Sequence, residues 1–224
     1  MRSSVWQAHG NVYEVAEPGG GGAPGTDGVV EILRAAGDEV EIRIVNPDGS
    51  VAEMSGNGTR IAAAWLIEQT GVERVRVRVG ARDVEVRALG DGLYEAEMGR
   101  VDVSEPETIA GIDVVRVSVG NPHAVVRGDP EEITRIGPLL ETHSRFPNRT
   151  NVQVARVEEP GRVTARVWER GVGETQASGT SAVAIAAATH GQGEVVVVFP
   201  GGELTVRLED GHAWLIGPAA VELG

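Results

Sequence analysis

Two short stretches combine residue types that could carry out acid–base chemistry on a bound anion. In each of them a Ser-Gly pair, Ser55-Gly56 or Ser178-Gly179, stands directly before an alanine-rich segment. A glycine-rich turn that leads into a helix exposes backbone N–H groups, and the helix dipole adds about half a positive charge at that end. Each stretch therefore predicts a cradle for a carboxylate, with a serine hydroxyl beside it.

The two stretches repeat one motif, a Ser-Gly pair before an alanine-rich segment. Aligning Ser55 on Ser178 also places Ala63-Ala64 on Ala186-Ala187, which predicts a duplicated architecture with an active site between the halves. Two such helix starts that face each other would hold the two hydroxyls on opposite faces of one ligand, the geometry that a two-base racemase needs. The alternative is that each serine is only an N-cap, because serine is common in that position.

Asparagines form a second group of candidate ligand-binding residues. Four of the six lie beside glycine or proline: Asn11, Asn46, Asn57 and Asn121. Asparagine suits turns because it tolerates left-handed backbone, so turn formation is the alternative role. A side-chain amide also offers a donor and an acceptor together, and several of them would suit a ligand that has both ammonium and carboxylate groups.

Three charged or titratable residues complete the candidate chemistry. Glu169 and Arg170 follow a valine-rich strand and would point to opposite faces of it, so that one could meet an ammonium and the other a carboxylate; a solvated strand end is the alternative. His123, in Gly120-Asn121-Pro122-His123, has the most suggestive context of the histidines, and His9 is second. No histidine or acid spacing resembles a metal site.

Composition excludes several classes of protein. The net charge of −13 argues against a nucleic-acid surface, which needs clustered cations. The chain has no cysteine, which excludes disulfides and thiolate metal sites. No apolar run approaches the ~20 residues of a membrane span, and the start does not look like a signal peptide. We therefore expect a cytoplasmic protein with no membrane or nucleic-acid partner.

Alternating β-branched residues predict many short strands in a mostly antiparallel arrangement. These strands are Val40–Val45, Arg74–Val79, Asp83–Val86, Val114–Val119, Ala124–Val126, Val152–Val157, Val163–Val167, Glu194–Val198 and Leu204–Leu208.

Few helices are predicted. Thr59–Thr70 and Thr180–His190 carry small apolar residues on nearly every face, so each is expected to be buried inside a curled sheet. Gly28–Ala36 and Pro130–Glu141 are further predicted helices, and Pro18–Gly25 is predicted to be a loop. A domain boundary is expected near Ser104–Gly111.

At these residues the chain resembles the diaminopimelate epimerase family of cofactor-independent amino-acid racemases and epimerases. The resemblance is carried by motifs from one end of the sequence to the other, and the Glu-Arg-Gly-x-Gly-Glu-Thr run is the most specific of them. The motifs are His9-Gly10-Asn11, Thr26-Asp27-Gly28, Asn46–Arg60, Gly120–His123, Asn148–Asn151, Glu169–Thr180 and Gly217-Pro218-Ala219.

The resemblance implies an α/β fold of two pseudo-symmetric halves, each a curled, mostly antiparallel sheet around a central helix. The halves are expected at 1–106, with a final strand at about 213–224 returning to it, and at 107–212. The implied reaction converts LL-diaminopimelate to the meso form, for lysine and peptidoglycan synthesis, by two-base proton transfer without a cofactor or metal. A homodimer is also implied.

Residue roles carry over by matching motif positions. Ser55 and Ser178 occupy the catalytic positions, and His123 and Glu169 would lie near them. The reacting carboxylate would be bound by Gly56-Asn57 and Gly179-Thr180. The remaining substrate contacts would come from Asn11, Asn46, Asn121, Asn151, Glu169 and Arg170.

The chain departs from the family at its two catalytic positions, which are cysteines in the family and serines here. A thiol has a reference pKa near ~8.5, whereas an unactivated hydroxyl is a far weaker acid that needs an adjacent base. The segment between Asn11 and Asp27 is also shorter than is usual in the family.

Three hypotheses follow. In the first, the two serines act with help from His123 or Glu169. In the second, the protein binds an amino acid without turning it over. In the third, it is a related isomerase, such as one of the phenazine-biosynthesis type, that uses Glu169 or His123 for proton transfer.

Overall fold

The computed structural model describes residues 3–9, 11–52 and 55–222. Contacts between Cα atoms divide them into two compact units. The first unit takes in the described residues up to Glu97 together with those from Ile216 onward, and the second runs from Met98 to Leu215. The domain boundary near residue 106 that the sequence suggests stays a prediction.

Short strands make up most of both units. The first unit contains β1 (Ser4–Ala8), β2 (Asn11–Ala16), β3 (Gly28–Ala36), β4 (Glu39–Val45), β5 (Val51–Ala52), β6 (Arg74–Val79), β7 (Arg82–Gly90) and most of β8 (Leu93–Arg100). The second contains β9 (Asp102–Val103), β10 (Glu107–Ile109), β11 (Ile112–Ser118), β12 (Pro122–Arg127), β13 (Asn151–Glu159), β14 (Arg162–Glu169), β15 (Gly173–Thr175), β16 (Gly193–Phe199), β17 (Gly202–Glu209) and most of β18 (His212–Pro218). The short β19 (Ala220–Val221) pairs antiparallel with β1.

Three α-helices lie among the described residues. These are α1 (Gly56–Thr70), α2 (Ile133–Glu141), which follows a 3-10 turn at Pro130–Glu132, and α3 (Gly179–Thr189). The predicted helices at 59–70, 130–141 and 180–190 are therefore confirmed. None of the helices in the described ranges is both long enough and apolar enough to cross a membrane.

The two units repeat one strand order. In the first, β1 pairs antiparallel with β2, β2 parallel with β3, β3 antiparallel with β4, β4 parallel with β6, and β6 antiparallel with β7. In the second, β11, β12, β13, β14, β16 and β17 pair in the same sequence with the same directions. Because α1 precedes β6 and α3 precedes β16, each is the crossover between two parallel strands, as such a connection requires.

Each crossover helix is enclosed by the strands of its own unit. The first eleven residues of α1, through Leu66, and the first nine of α3, through Ala187, are buried. Helix α1 contacts β1, β2, β3, β4, β6 and β7, whereas α3 contacts β11, β12, β13, β16 and β17. The expectation that both helices are buried on nearly every face is confirmed, and the mixed α/β class is also as predicted.

One predicted helix is wrong. Gly28–Ala36 forms strand β3, which pairs with β2 on one side and β4 on the other. Its apolar residues Val30 and Ile32 are buried. The β-branched side chains favour a strand, and the hydrogen bonds that two neighbouring strands offer outweigh the weak helical pattern.

The predicted loop at Pro18–Gly25 is confirmed, and two carboxylates of the adjoining strands hold it. Glu14 Oε2 accepts hydrogen bonds from the N–H groups of Gly22 and Ala23, both at 2.8 Å. Glu31 Oε1 accepts one from Gly19 N–H at 2.9 Å. In the repeated strand order, α2 occupies the equivalent connection of the second unit, between β12 and β13.

Candidate active site

The first helix start is built around Ser55. Its backbone is extended (φ −139°, ψ 121°), and its hydroxyl accepts a hydrogen bond from Gly58 N–H at 3.1 Å. Thr59 N–H bonds to the Ser55 carbonyl. The N–H groups of Gly56 and Asn57 belong to the first turn, where no intrahelical acceptor exists, and none of the hydrogen bonds of the described residues uses them. Two donors are thus open at this helix start.

Glycine is required at position 58 because the helix start approaches β4 closely there. A Cβ atom there would lie 2.8 Å from Cδ1 of Ile44, a fully buried residue of β4. The helix start therefore sits tightly on β4, which keeps Ser55 at a fixed place relative to the sheet.

The second helix start is built around Ser178, which also has extended backbone (φ −145°, ψ 125°). Here the hydroxyl makes no capping hydrogen bond, and Ser178 is only 6% exposed. Ala182 N–H bonds to the Ser178 carbonyl. The N–H groups of Gly179, Thr180 and Ser181 have no acceptor among the residues described, so this helix start offers three open donors.

A chain of hydrogen bonds crosses the first unit beside Ser55. Arg60 Nη2 donates to Asn57 Oδ1 at 2.7 Å, and Asn57 Nδ2 donates to Asn11 Oδ1. Asn11 Nδ2 donates to Asp27 Oδ2 at 3.5 Å, and the same oxygen accepts Val12 N–H at 2.7 Å. We call this series Arg60–Asn57–Asn11–Asp27 the first relay. The structure thus joins two predicted site residues, Asn11 and Asn57, with two residues that were assigned no role.

A corresponding chain crosses the second unit. Gln153 Nε2 donates to His123 Nδ1 at 3.0 Å, His123 Nε2 lies 2.9 Å from Asn121 Oδ1, and Asn121 Nδ2 donates to Thr180 Oγ1 at 3.4 Å. We call Gln153–His123–Asn121–Thr180 the second relay. Because Gln153 donates to Nδ1, the proton of the neutral ring is on Nε2, which donates to Asn121. Gln153 also donates to Ser181 Oγ at 2.9 Å.

His123 is neutral at physiological pH. It is fully buried, and burial lowers its pKa to about 3. Both ring nitrogens are engaged within the relay, and the hydrogen bonds of the ring reach Asn121 and Gln153 rather than a serine. The arrangement suits His123 to fixing the orientation of Asn121; its predicted role near the catalytic serines stays a prediction.

Glu169 is the last residue of β14, and Arg170 begins the turn after it. Asn151 Oδ1 accepts Arg170 N–H at 3.0 Å, while Asn151 Nδ2 donates to the Pro122 carbonyl at 3.0 Å. Glu169 Oε1 accepts the hydroxyl of Thr175 at 2.6 Å. Three predicted substrate-binding residues, Asn151, Glu169 and Arg170, are thus part of one local arrangement.

Glu141, at the end of α2, supports this turn and was not among the residues predicted from sequence. Its carboxylate accepts Gly171 N–H and the Trp168 indole N–H, both at 2.8 Å. Burial acts to raise the pKa of Glu141, but the hydrogen bonds from Trp168 and Gly171 and the nearby Arg149 outweigh it and hold the pKa below its ordinary value. The carboxylate therefore stays ionised and holds the turn.

Asn46 lies in a separate turn of the first unit. Its Nδ2 donates to Ser50 Oγ at 3.0 Å, and Gly49 N–H bonds to its carbonyl. Asp48 accepts both the N–H and the hydroxyl of Ser50. No hydrogen bond between described residues links this turn to the first relay, so its assignment to the substrate stays a prediction. Gly10, in the motif around Asn11, lies outside the described residues.

Gln153, Arg60 and Glu141 carried no usable signal in the sequence. Gln153 looks like one residue of a valine-rich strand, and Arg60 like a helix residue. The described part of the chain also contains no group of three or more histidine, aspartate or glutamate side chains that could hold a metal ion.

A family model and similar known proteins agree on one family for this chain. The model of the diaminopimelate epimerase family matches residues 21–104 and 115–222. A diaminopimelate epimerase of Synechococcus sp. is 36% identical over 87% of this chain and 81% of its own length. One from Xylella fastidiosa strain M23 is 40% identical over 85% of this chain and 77% of its own.

A solved structure matches the whole fold. The structure of a predicted epimerase from Pseudomonas aeruginosa is similar to this chain with a TM-score of 0.75, covering 99% of this chain and 97% of the other. Its sequence is only 16% identical, so the likeness concerns the fold alone.

Proposed function

The chain belongs to the diaminopimelate epimerase family, and we propose from this premise that it inverts one α-carbon of diaminopimelate, converting the LL form to the meso form. The observation that carries the proposal is the repeated helix start. Each unit holds a serine directly before a buried helix whose first N–H groups are open. Such a start binds a carboxylate, and an α-amino acid presents its carboxylate next to the carbon that is inverted.

In the proposed reaction, Ser55 and Ser178 address the same substrate α-carbon. One serine oxygen, as the alkoxide, takes the α-proton, and the C–H electron pair remains on the substrate as a carbanion conjugated with the carboxylate. The hydroxyl of the other serine then delivers its proton to the opposite face of the carbon. The negative charge thus passes from one serine oxygen to the other, and one proton is taken up for each proton delivered.

Open N–H groups support this step by stabilising negative charge. Proton removal places additional charge on the substrate carboxylate, and fixed donors that point at such a charge stabilise the transition state. The donors available are the N–H groups of Gly56 and Asn57 in one unit and of Gly179, Thr180 and Ser181 in the other.

The serines give the reaction its slow step. Neither hydroxyl is hydrogen-bonded to a histidine, aspartate or glutamate among the described residues, and a hydroxyl without such a base is weakly activated. We therefore expect proton transfer to limit turnover, with a large primary isotope effect when the α-hydrogen is deuterium.

The other amino-acid end of the substrate is assigned to Asn46, Asn121, Asn151, Glu169 and Arg170, following the family motifs. The local geometry supports part of this assignment, since Asn151 holds the Arg170 N–H and Glu141 holds that of Gly171. The resemblance also supports a homodimer in the cytoplasm. Light scattering tests the assembly, and a monomeric mass would overturn it.

The reaction is tested by exchange of the α-hydrogen. Purified protein is incubated with LL-diaminopimelate in heavy water, and NMR follows both the loss of the α-proton signal and the appearance of the meso form. The expected result is deuterium incorporation with inversion. Binding without exchange would mean that the protein holds the amino acid but does not epimerise it.

Two variants separate the serines from other acid–base groups. Exchange is expected to be lost with Ser55→Ala and, separately, with Ser178→Ala. Exchange that survives both changes but is lost with Glu169→Gln would instead assign proton transfer to Glu169.

A further inference from the structure

Arg60 is a buried cation with unused donors. The residue has no exposed surface, and Nε and Nη1 of its guanidinium have no hydrogen-bond partner among the described residues. Among the described residues its hydrogen bond goes to the neutral amide of Asn57, and no described carboxylate acts on its pKa. Burial lowers the pKa of Arg60 to about 10, so the side chain remains charged at neutral pH.

A buried charge of this kind is costly unless something compensates it. Salt bridges elsewhere in the chain are made by partly exposed arginines, such as Arg43 with Glu31. Arg60 is different because it is fully buried and because, within the described ranges, its guanidinium bonds only to an amide oxygen. The position is explained if its charge is used by something that is bound next to the relay.

The hydrogen bonds of the first relay can run in only one direction, from donor to acceptor. A guanidinium can only donate hydrogen bonds, and an ionised carboxylate can only accept them. Arg60 at one end therefore turns Asn57 Oδ1 toward itself, and Asp27 at the other end turns Asn11 Nδ2 toward itself. The bond from Asn57 Nδ2 to Asn11 Oδ1 in the middle agrees with both ends.

This direction decides what the two amides can offer to a ligand. Both carbonyl oxygens already accept a hydrogen bond, and each amide nitrogen keeps one hydrogen to donate. The N–H groups of Gly56 and Asn57 are also open donors. With the guanidinium charge behind them, all of these groups favour an anion and disfavour a neutral amide or an ammonium.

We propose that Arg60 is a positioning residue that locks the Asn57 and Asn11 amides as donors and thereby makes the first unit selective for a carboxylate. The inference deepens the proposed function, since it explains how the first unit would contribute to binding the substrate's reacting carboxylate. It concerns a binding preference, however, and can be tested without turnover.

The test uses two small probes of equal shape, acetate and acetamide. Each is titrated at constant ionic strength into 15N-labelled protein, and NMR follows the backbone signals of Gly56 and Asn57 and the side-chain NH2 signals of Asn11 and Asn57. For the unchanged protein, acetate is expected to shift these signals and to bind at least about tenfold more tightly than acetamide, as loss of one charge-assisted hydrogen bond predicts.

Arg60→Gln is expected to reduce the preference for acetate about tenfold, while Arg60→Lys, which keeps the charge and a donor, restores part of it. Arg127→Gln is the matched control, because Arg127 donates to the carbonyls of Ala188 and Thr189 at the end of α3 and contacts neither relay. It is expected to leave the preference unchanged.

Asp27→Asn tests the same relay from its exposed end, where a change of residue does not disturb the core. A neutral amide at this position can donate as well as accept, so the fixed direction is lost, and we expect the acetate preference to fall about threefold. A folded Arg60→Gln protein, or Asp27→Asn, that keeps the full preference would overturn the proposal. So would equal binding of acetate and acetamide by the unchanged chain. Failure of the epimerase assay alone leaves these binding results in place and refutes only the proposed reaction.

Discussion

The two serine-led helix starts share a backbone design but differ in how their side chains are used. Ser55 and Ser178 have nearly the same φ and ψ angles, and each stands before the crossover helix of the same strand order. The hydroxyl of Ser55 accepts a capping hydrogen bond, whereas that of Ser178 does not. The first relay ends in a cation and a carboxylate, Arg60 and Asp27, while every member of the second is neutral.

The repeated backbone places a helix start in each unit but does not set the electrostatic potential there. A backbone copy reproduces the open N–H groups at both sites. The charge near each site depends on single residues, a buried arginine in one unit and a neutral histidine in the other. The two helix starts therefore share a backbone design but differ in the charge that lies near them.

Removing each hydroxyl is expected to have the largest effect. Ser178→Ala and Ser55→Ala should each lower the rate of α-hydrogen exchange at least about 100-fold, the usual contribution of a general acid or base. Only Ser55→Ala should also lower the free energy of unfolding, by about 1 kcal/mol, because only Ser55 caps its helix. Exchange by NMR and chemical unfolding measure the two effects.

The exposed Ser118 supplies the control, and Ser118→Ala should change neither rate nor stability. Equal destabilisation by Ser55→Ala and Ser178→Ala would contradict the difference in capping between the two helix starts.

The second-largest effect is expected in the pH dependence of stability, which should distinguish the second relay from the first. His123 has a pKa of about 3 in the folded chain and an ordinary value near ~6.5 when unfolded, so only the unfolded chain gains this proton as the pH falls below about 6.5. Stability is then lost on acidification, by about 2 kcal/mol between about pH 7.5 and about pH 5. Arg60 contributes nothing there, because its pKa of about 10 keeps it charged.

Urea unfolding at a series of pH values measures this slope. His123→Gln should flatten it, whereas His212→Gln, at an exposed position, should leave it in place. A slope that is unchanged in His123→Gln would mean that other groups cause the acid sensitivity.

Introduced thiols can measure the charge at each helix start directly. The chain has no cysteine, so in Ser55→Cys or Ser178→Cys the rate of alkylation against pH reports one thiol. We expect the thiol pKa to be about one unit lower in Ser55→Cys, because a nearby full positive charge lowers it. The additional open N–H at α3 opposes this difference, but a helix start carries only about half a charge.

Adding Arg60→Gln to Ser55→Cys should remove the difference. Equal thiol pKa values in the two single variants would refute the idea that the electrostatic potential is more positive at Ser55 than at Ser178.

The smallest effect is expected at the turns that carry the predicted substrate contacts. Glu141, from α2, holds the turn after β14, whereas the turn after β4 is held locally by Asp48. Glu141→Gln should raise KM for LL-diaminopimelate about threefold, because one of its two acceptor oxygens becomes a donor. Asp48→Asn, which changes a turn on its own exposed loop, should alter KM less. A larger effect of Asp48→Asn on KM would mean that the turn after β4 matters more for substrate binding than the turn after β14.

Much of the fold could be predicted because its signals are local. The alanine-rich segments after Ser55 and Ser178 form buried helices, since small apolar side chains on all faces can pack against a sheet on every side. Strand β6 could be predicted from its alternating valines, and β16 from its run of β-branched valines. Gly28–Ala36 could not be assigned correctly, because its local pattern fits both states and its pairing with β2 and β4 decides between them.

Less of the candidate site could be predicted. Asn11, Asn57, Asn121 and His123 were identified from glycine and proline neighbours and from the family motifs. Their partners were not, since Gln153 and Arg60 carry no local mark of their role. Glu141 likewise acts on a turn 30 positions away in the chain.

Local residue patterns suffice to place two serines at the starts of two buried helices, because cap residues, glycines and apolar periodicity act over a few neighbouring residues. The charge and the hydrogen-bond donors present at each helix start depend on residues that are distant in the chain. Asn57 meets Asn11 across 46 positions, and Asn121 meets Thr180 across 59. The direction of each hydrogen bond, the burial of Arg60 and the neutral state of His123 depend on such distant partners, which local patterns do not encode.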